Sequence, residues 1–279
     1  MWPVLFEIPL PFASDGLAVR GFGAVFLVGV VLAHRTARAE LARRGVDRAA
    51  ALDLLLATAL LFALGSRLAW YARELARGAE PPLGALWSAS EAGLDYWGGF
   101  FAAALGLPLW LRRRGIPVAA GLDAAALGAS LAAAVVRLGS LLDGGYRGMP
   151  TDAAHPLRIR FPTRIESGSF LGFEAPPDNG NLAGVDQGQW LHPAALYAAV
   201  AFLAVHLVLR WRRRRREGWG ELAALYAIGI GLASFAVGFW RGDIERDLGP
   251  GISWPQAEAL GAAALGAIAL FRVSGPRSS

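Results

Sequence analysis

The chain contains no cysteine and no lysine, and only 18% of its 279 residues are charged. The absence of cysteine excludes disulfides, thiolate metal sites and a cysteine nucleophile within the chain. A soluble domain usually carries about 25% charged residues, so the low charge argues against a soluble class. The first residues also lack a basic segment and a cleavage site, which leads us to expect an uncleaved first span.

Apolar residues make up 55% of the sequence, and the mean hydropathy is +0.41. Several apolar runs reach the roughly 17–25 residues that a membrane-crossing helix requires. The pattern therefore predicts an all-α, polytopic membrane protein, with residues 1–279 as a single integral membrane domain. We predict seven helices, at about 17–34, 50–70, 96–111, 118–138, 193–210, 221–240 and 255–271.

All basic residues are arginines, and their distribution predicts the topology. Sixteen lie in "HRTARAELARRGVDR", "LRRRG", "RWRRRRREGWG" and the C-terminal tail, against nine in the longer connections on the other side. The positive-inside rule makes the first set cytoplasmic, with the N-terminus outside and the C-terminus inside. The net charge of +5 then reflects topology rather than nucleic-acid binding. We expect the run 212–216 to lie at anionic lipid headgroups.

The long outer connection, 143–191, is rich in Gly, Pro, Asp and Asn, and we expect an extracytoplasmic loop or small subdomain there. Its stretch "LRIRFPTRIESGSF" has an alternating character that favours a short hairpin.

Three arginines fall at the predicted outer ends of spans. Arg137 lies inside the apolar run "AAAVVRLGSLLDGGYRG", and Arg67 and Arg241 lie in "LGSRLAWY" and "GFWRGD". A charge in an apolar environment costs several kcal/mol unless it is paired. One interpretation is that each side chain reaches the headgroups as a snorkelling residue, or that Arg241 pairs with Asp243. The other is that they face a shared cavity and bind an anionic lipid head through paired donors.

Two further motifs are candidates. His192 opens the fifth span in "WLHPAALYAA", and Tyr197 follows five residues later. They are either an interfacial pair or part of a reactive site. Gly98 and Gly99 begin the third span, where they favour close helix packing or a close approach of backbone to a ligand. His34 and His206 are weaker candidates, expected in a solvated loop and in a packed span.

Together these stretches resemble one family over nearly the whole chain. "GSRLAWY", "YWGGFFAAALG", "VVRLGSLLDGGYRG", "LHPAALY", "GFWRGD" and "GISWPQ" follow the order and spacing of the bacterial prolipoprotein diacylglyceryl transferases. The resemblance implies a multi-pass protein of the bacterial cell membrane. It implies transfer of the diacylglyceryl group of phosphatidylglycerol to the lipobox cysteine thiol carried by a prolipoprotein signal peptide. It implies no metal and no cofactor.

The resemblance also implies roles for individual residues. Arg137 would hold the lipid phosphate and stabilise charge as glycerol phosphate leaves. His192, with Tyr197 nearby, would assist deprotonation of the incoming thiol. The predicted substrate-binding residues are Arg137, Arg241, Gly98, Gly99, Gly139 and Arg67, and the predicted catalytic residues are Arg137, His192 and Tyr197.

The chain departs from the family pattern at several polar positions. Trp97 stands where the family has a histidine, and Ser140 where it has an asparagine; the others are Phe22, Gly145, Ser234 and Gly238. Two hypotheses stay open: an active transferase, or a catalytically impaired or retargeted relative that binds phospholipid or a lipidated partner. A channel or transporter is less favoured, because no pair of broken helices occurs in matching halves.

Overall fold

Seven α-helices form at the seven predicted places, which confirms the polytopic helical architecture. The computed structural model describes residues 4–8, 17–87, 93–161, 168–170, 173–175, 188–215, 219–249 and 251–274. The helices are α1 Gly21–Arg43, α2 Ala50–Ala76, α3 Tyr96–Arg113, α4 Val118–Asp143, α5 Ala194–Arg215, α6 Glu221–Gly238 and α7 Trp254–Ser274. Six of them, all but α3, are long and apolar enough to cross a membrane by length and composition.

Local sequence explains where several helices begin and end. Asp95 precedes α3 with extended backbone, and its carboxylate accepts a hydrogen bond from the Gly98 amide at 2.9 Å. That is the geometry of an N-cap, which satisfies one of the free amides of the first turn. Gly45 and Gly144 follow α1 and α4 with φ angles of 71° and 72°, a region that favours glycine.

Among the residues that the structure describes, four short strands, which the all-helical prediction did not include, accompany the helices. β1 Val4–Ile8 pairs antiparallel with β2 Leu17–Arg20, and β3 Gly168–Phe170 pairs antiparallel with β4 Phe173–Ala175. The predicted hairpin over 157–170 is therefore only partly right, since β3 takes up the end of that stretch alone. Residues 162–167 within it lie outside the described part of the chain.

The chain divides into two compact units, and α1, α4, α5, α6 and α7 each contribute a segment to both. The first unit comprises Met1–Leu32, Ala129–Val208 and Leu232–Ala257, and the second comprises Ala33–Gly128, Leu209–Gly231 and Glu258–Ser279. That the whole chain acts as one membrane domain stays a prediction.

Within the second unit, glycine allows α2 and α3 to pack closely. A Cβ atom on Gly65 would lie 2.6 Å from the carbonyl oxygen of Gly98, and one on Gly98 would lie 2.8 Å from the carbonyl oxygen of Gly65. Neither position accepts a larger residue without separating the helices. This close contact is the small-residue packing expected between membrane helices.

A buried ion network occupies the basic end of the second unit. Glu40 and Asp123 are both fully buried, and Arg44 binds each of them at 2.7 Å. Asp123 also accepts the backbone amides of Gly220 and Ala223 at 2.8 and 2.9 Å. These bonds join the end of α1 to α4 and to the start of α6.

The same network explains why α1 and α5 continue beyond their predicted ends. Arg213 binds Glu40 at 2.7 Å, and Arg212 donates to Glu221 at 2.6 Å. Two of the charges expected at headgroups, Arg212 and Arg213, are thus held by protein carboxylates at the ends of these helices.

In the first unit, a polar pair lies between α4 and α5. The Oγ of Ser130 is 2.9 Å from Nδ1 of His206, and the two residues are 0% and 3% exposed. His206 is therefore packed, as the sequence predicts.

Candidate functional site

A backbone ladder in the first unit joins the loop after α4 to two segments that carry the predicted site residues Arg241 and His192. The amide of Met149 donates to the carbonyl of Trp240 at 2.8 Å, and the amide of His192 donates to the carbonyl of Met149 at 2.9 Å. The amide of Gly242 also donates to the carbonyl of Arg147 at 3.0 Å, which completes an antiparallel bridge between Gly148 and Arg241. The segment 147–149 after α4 is therefore held between the end of α6 and the start of α5.

Gly148, at the centre of this ladder, can only be glycine. A Cβ atom there would lie 2.8 Å from the Cβ atom of His192 and closer still to its backbone. The absent side chain lets the loop after α4 approach the residue that opens α5.

Arg137 and Arg241 share one aromatic ring. The guanidinium carbon of each lies 4.1 Å from the ring centroid of Tyr146, which is 5% exposed. The two guanidinium carbons are therefore no farther apart than twice that distance. The ring of Phe202 lies 5.8 Å from the guanidinium carbon of Arg137. Each cation–π contact contributes about 0.5–2 kcal/mol, which helps to hold both side chains in place.

One of the two arginines has a carboxylate partner in the fork geometry. Arg241 donates from Nε and Nη2 to the two oxygens of Asp243 at 2.9 and 2.8 Å. Burial alone would lower the pKa of Arg241, but Asp243 and Tyr146 hold that pKa above its ordinary value.

His192 and Tyr197 lie together, and a second histidine joins them. Nδ1 of His192 is 3.3 Å from the hydroxyl of Tyr197, and Nε2 of His155 is 3.5 Å from the same hydroxyl. The two imidazole rings meet edge to face, with centroids 4.8 Å apart. Burial and the neighbouring His155 lower the pKa of His192 below its ordinary value, which favours the neutral imidazole near pH 7.

Sequence reasoning did not single out Tyr146, His155 or Arg246. Arg246 donates through Nη2 to the carbonyls of Phe239 and Arg241 at 3.1 and 3.2 Å, so it satisfies free carbonyls after α6. All three residues lie in loops, where the sequence has no hydrophobic periodicity that would indicate their position. Their only sequence signal is nearness to a recognisable motif.

The other predicted substrate-binding residues lie in helix contacts. Gly139 faces α1, since a Cβ atom there would lie 3.1 Å from the Cβ of Val25. In the second unit, Gly98 and Gly99 face α2, and Arg67 donates to the carbonyl of Gly93 at 3.4 Å. Their roles toward a lipid stay predictions.

At two positions where the family pattern has polar side chains, packed side chains of this protein occupy the space. Trp97 is 4% exposed and contacts the rings of Tyr96, Phe100 and Phe101. A Cβ atom on Gly238 would lie 2.6 Å from Cγ of Gln256, so that side chain occupies the space. No group of three His, Cys, Asp or Glu side chains comes together in the described residues.

The model of the prolipoprotein diacylglyceryl transferase family matches residues 3–272. The chain belongs to this family. A phosphatidylglycerol–prolipoprotein diacylglyceryl transferase of Leifsonia xyli subsp. xyli is 29% identical over 280 residues, spanning 97% of this chain and 78% of that protein. The enzyme of that name from Burkholderia ambifaria is 31% identical over 249 residues, spanning 84% and 82%. The one from Rhodococcus jostii is 29% identical over 252 residues, spanning 86% and 67%.

Proposed function

We propose that the protein transfers the diacylglyceryl group of phosphatidylglycerol to the lipobox cysteine thiol of a prolipoprotein. The observation that carries this proposal is the pair of arginines on the Tyr146 ring, tied by the backbone ladder to His192. Family membership supplies the reaction class, and this arrangement supplies groups that suit its lipid substrate.

The chemistry of the transfer explains why two guanidinium groups are useful. The sulfur of the thiol attacks the glycerol carbon that bears the phosphate, the C–O bond breaks, and glycerol phosphate leaves with the electron pair. The negative charge on the phosphate rises as it leaves. Planar, fixed donors aimed at that phosphate stabilise the departing group more than the bound lipid, which lowers the barrier.

Arg137 is the better candidate for the main phosphate contact. Arg241 is held by Asp243, so part of its charge is balanced within the protein. Arg137 is half-buried, and its guanidinium carbon lies 4.1 and 5.8 Å from the ring centroids of Tyr146 and Phe202, which fix its position. Arg241 then reinforces the field around the same ring.

His192 and Tyr197 belong to the same site in this proposal. The sequence predicts that they help to remove the thiol proton; the lowered pKa of His192 favours a neutral imidazole near pH 7, which carries one N–H donor and one acceptor nitrogen. Tyr197 lies within hydrogen-bonding distance of the imidazole.

We also propose the membrane setting predicted from the arginine counts. The chain would span the bacterial cell membrane with its N-terminus outside, so that the ladder faces the side where signal peptides of exported prolipoproteins emerge. Anionic lipids would contact the exposed arginines at the cytoplasmic ends of the helices.

A second candidate rests on the replaced polar groups. Trp97 forms part of a buried aromatic cluster, and Gln256 fills the space beside Gly238. A protein that keeps the phosphate-binding arginines and lacks these polar groups could bind phosphatidylglycerol without efficient transfer.

Complementation of a bacterial strain depleted of its own transferase separates the two candidates. We expect growth to be restored by the parent chain and not by Arg137→Ala expressed at the same level. The purified protein should also transfer diacylglyceryl to a lipobox peptide, at about 1 per second or faster for a typical enzyme. Binding of phosphatidylglycerol without measurable transfer would favour the second candidate.

A further inference from the structure

A chain of hydrogen bonds runs from the backbone at Leu157 to the imidazole of His192. It begins where the amide of Leu157 donates to Nδ1 of His155 at 3.3 Å. A backbone amide can only donate, so Nδ1 of His155 is an acceptor and the proton of its neutral ring lies on Nε2.

The direction of the remaining bonds follows from this first one. Nε2–H of His155 faces the hydroxyl oxygen of Tyr197 at 3.5 Å, and that oxygen accepts. The hydroxyl hydrogen of Tyr197 is then directed to Nδ1 of His192, 3.3 Å away. Nδ1 of His192 is therefore the acceptor, and the proton of the neutral His192 ring lies on Nε2. Nε2–H is then the donor that can meet a ligand.

We infer that His155 is a positioning residue that acts through Tyr197 to fix the tautomer of His192, so that His192 meets the substrate's phosphate as a hydrogen-bond donor. This inference rests on the proposed function. Nε2–H would add a third donor to those of Arg137 and Arg241 at the departing phosphate. The thiol proton is then taken up by the departing glycerol phosphate, whose oxygen gains the electron pair, rather than by Nε2 of His192 as the sequence predicts.

The charged groups around the pair are compatible with neutral rings. On the segment that carries His155, Arg158 donates to the carbonyl of His155 at 3.0 Å. The Asp152 carboxylate accepts the amide of Ala154 at 3.1 Å. Across the ladder from His192, Arg241 is paired with Asp243. The packing of the two imidazoles also disfavours a second positive charge there.

The test uses nitrogen NMR of the detergent-purified full chain labelled with ¹⁵N-histidine. The sequence has four histidines, so the spectrum is assigned by replacing each one in turn. At a pH above the His192 titration, we expect His192 in the parent protein to be protonated on Nε2 alone. Protonation on Nδ1 would overturn the inference.

Two variants separate hydrogen bonding from packing. His155→Phe keeps an aromatic ring beside His192 and removes both nitrogens, and Tyr197→Phe removes only the hydroxyl. We expect both tautomers of His192 in each variant, because the direction of the chain is no longer fixed. His34→Gln, in the other compact unit, is the control and should leave the His192 signals unchanged. An unchanged tautomer in His155→Phe would overturn the inference.

Addition of lipid tests the donor role directly. Phosphatidylglycerol should shift the Nε2 signal of His192, whereas diacylglycerol, which lacks a phosphate, should not. Equal shifts with both lipids would show that His192 does not donate to a phosphate.

Activity distinguishes this inference from the proposed function. With two tautomers populated and one of them competent, His155→Phe should lower kcat in proportion to the fraction of His192 that the nitrogen spectrum shows in the other tautomer, and leave the KM for lipid nearly unchanged. If the parent protein transfers diacylglyceryl and its His192 tautomer is the same as in His155→Phe, only the inference is refuted. The expected tautomer in a parent protein without transfer would refute only the proposed function.

Discussion

The guanidinium carbon of Arg137 lies 4.1 Å from the ring centroid of Tyr146. An arginine inside an apolar helix is thereby held against an aromatic ring of the loop that follows the same helix. Because Arg241 lies on the same ring, Tyr146 sets the spacing of two positive charges, one from α4 and one from the segment after α6.

Substitution of Arg137 should separate a phosphate-binding role from snorkelling. Arg137→Ala and Arg137→Lys should both insert and fold, and both should lose phosphatidylglycerol binding, Ala by about 2–5 kcal/mol and Lys by less. Lysine keeps the charge and can snorkel, but it lacks the planar fork. Lipid binding by the purified variants, measured beside their thermal stability, checks this. Arg114→Lys, whose parent side chain is 58% exposed, is the control. Full binding by Arg137→Lys would make Arg137 a structural arginine.

Tyr146 should matter through its ring rather than its hydroxyl. Tyr146→Phe retains the face that both guanidinium groups contact, and we expect near-parental lipid binding. Tyr146→Leu removes two cation–π contacts and should weaken lipid binding by about 1–3 kcal/mol. The same binding assay compares the two variants. If Tyr146→Phe is as defective as Tyr146→Leu, the hydroxyl and not the ring positions the arginines.

The lowered pKa of His192 should make the fold sensitive to acid. Its pKa in the folded protein lies below the ordinary value of 6.5, so the unfolded chain binds more protons between the two values. The contribution of His192 to stability is therefore complete above pH 6.5 and decreases as the pH falls through this interval. We expect the apparent Tm to fall between pH 7.5 and about 5, and to fall less in His192→Asn. Equal losses in parent and variant would contradict this assignment.

Much of the helical architecture is predictable because membrane spans have long apolar runs and basic flanks. Prediction failed where helix ends depend on tertiary ion pairs, as at the ends of α1 and α5. Glu40 and Arg213 look like residues of a solvated loop in the sequence, yet they form an ion pair within the protein.

The site was predictable only in part for a related reason. Arg137 and His192 stand out because a charge in an apolar run and a histidine before a helical proline are unusual. Tyr146 and His155 contact them through side chains of the loop after α4, which a backbone ladder holds against segments distant in the chain. No local sequence pattern indicates such pairing.

Loss of Asp123 should be among the most damaging changes in the second unit. Its carboxylate binds Arg44 and two backbone amides while fully buried, so Asp123→Ala leaves Nη2 of Arg44 and two amides without this acceptor, and Arg44 keeps its bond to Glu40. We expect a loss of about 3–5 kcal/mol in the free energy of unfolding. Asp53→Ala, at an exposed carboxylate 3.9 Å from Arg114, should change stability by no more than about 1 kcal/mol. Thermal unfolding in detergent compares the two, and similar small losses would show that the network is not stabilising.

The predicted orientation can be tested cleanly because the chain has no cysteine of its own. Single cysteines placed at exposed positions should react with a membrane-impermeant maleimide only from the side they face. Ala79→Cys and Ala153→Cys lie in connections predicted outside, and both should be labelled in intact cells whose outer surface is accessible. Ala49→Cys lies at the start of α2, next to the basic loop, and should be labelled only after the membrane is permeabilised. The cysteine-free parent gives the background in both conditions. Labelling of Ala49→Cys in intact cells would reverse the topology, and it would put the arginine pair on the side of the membrane away from exported prolipoproteins.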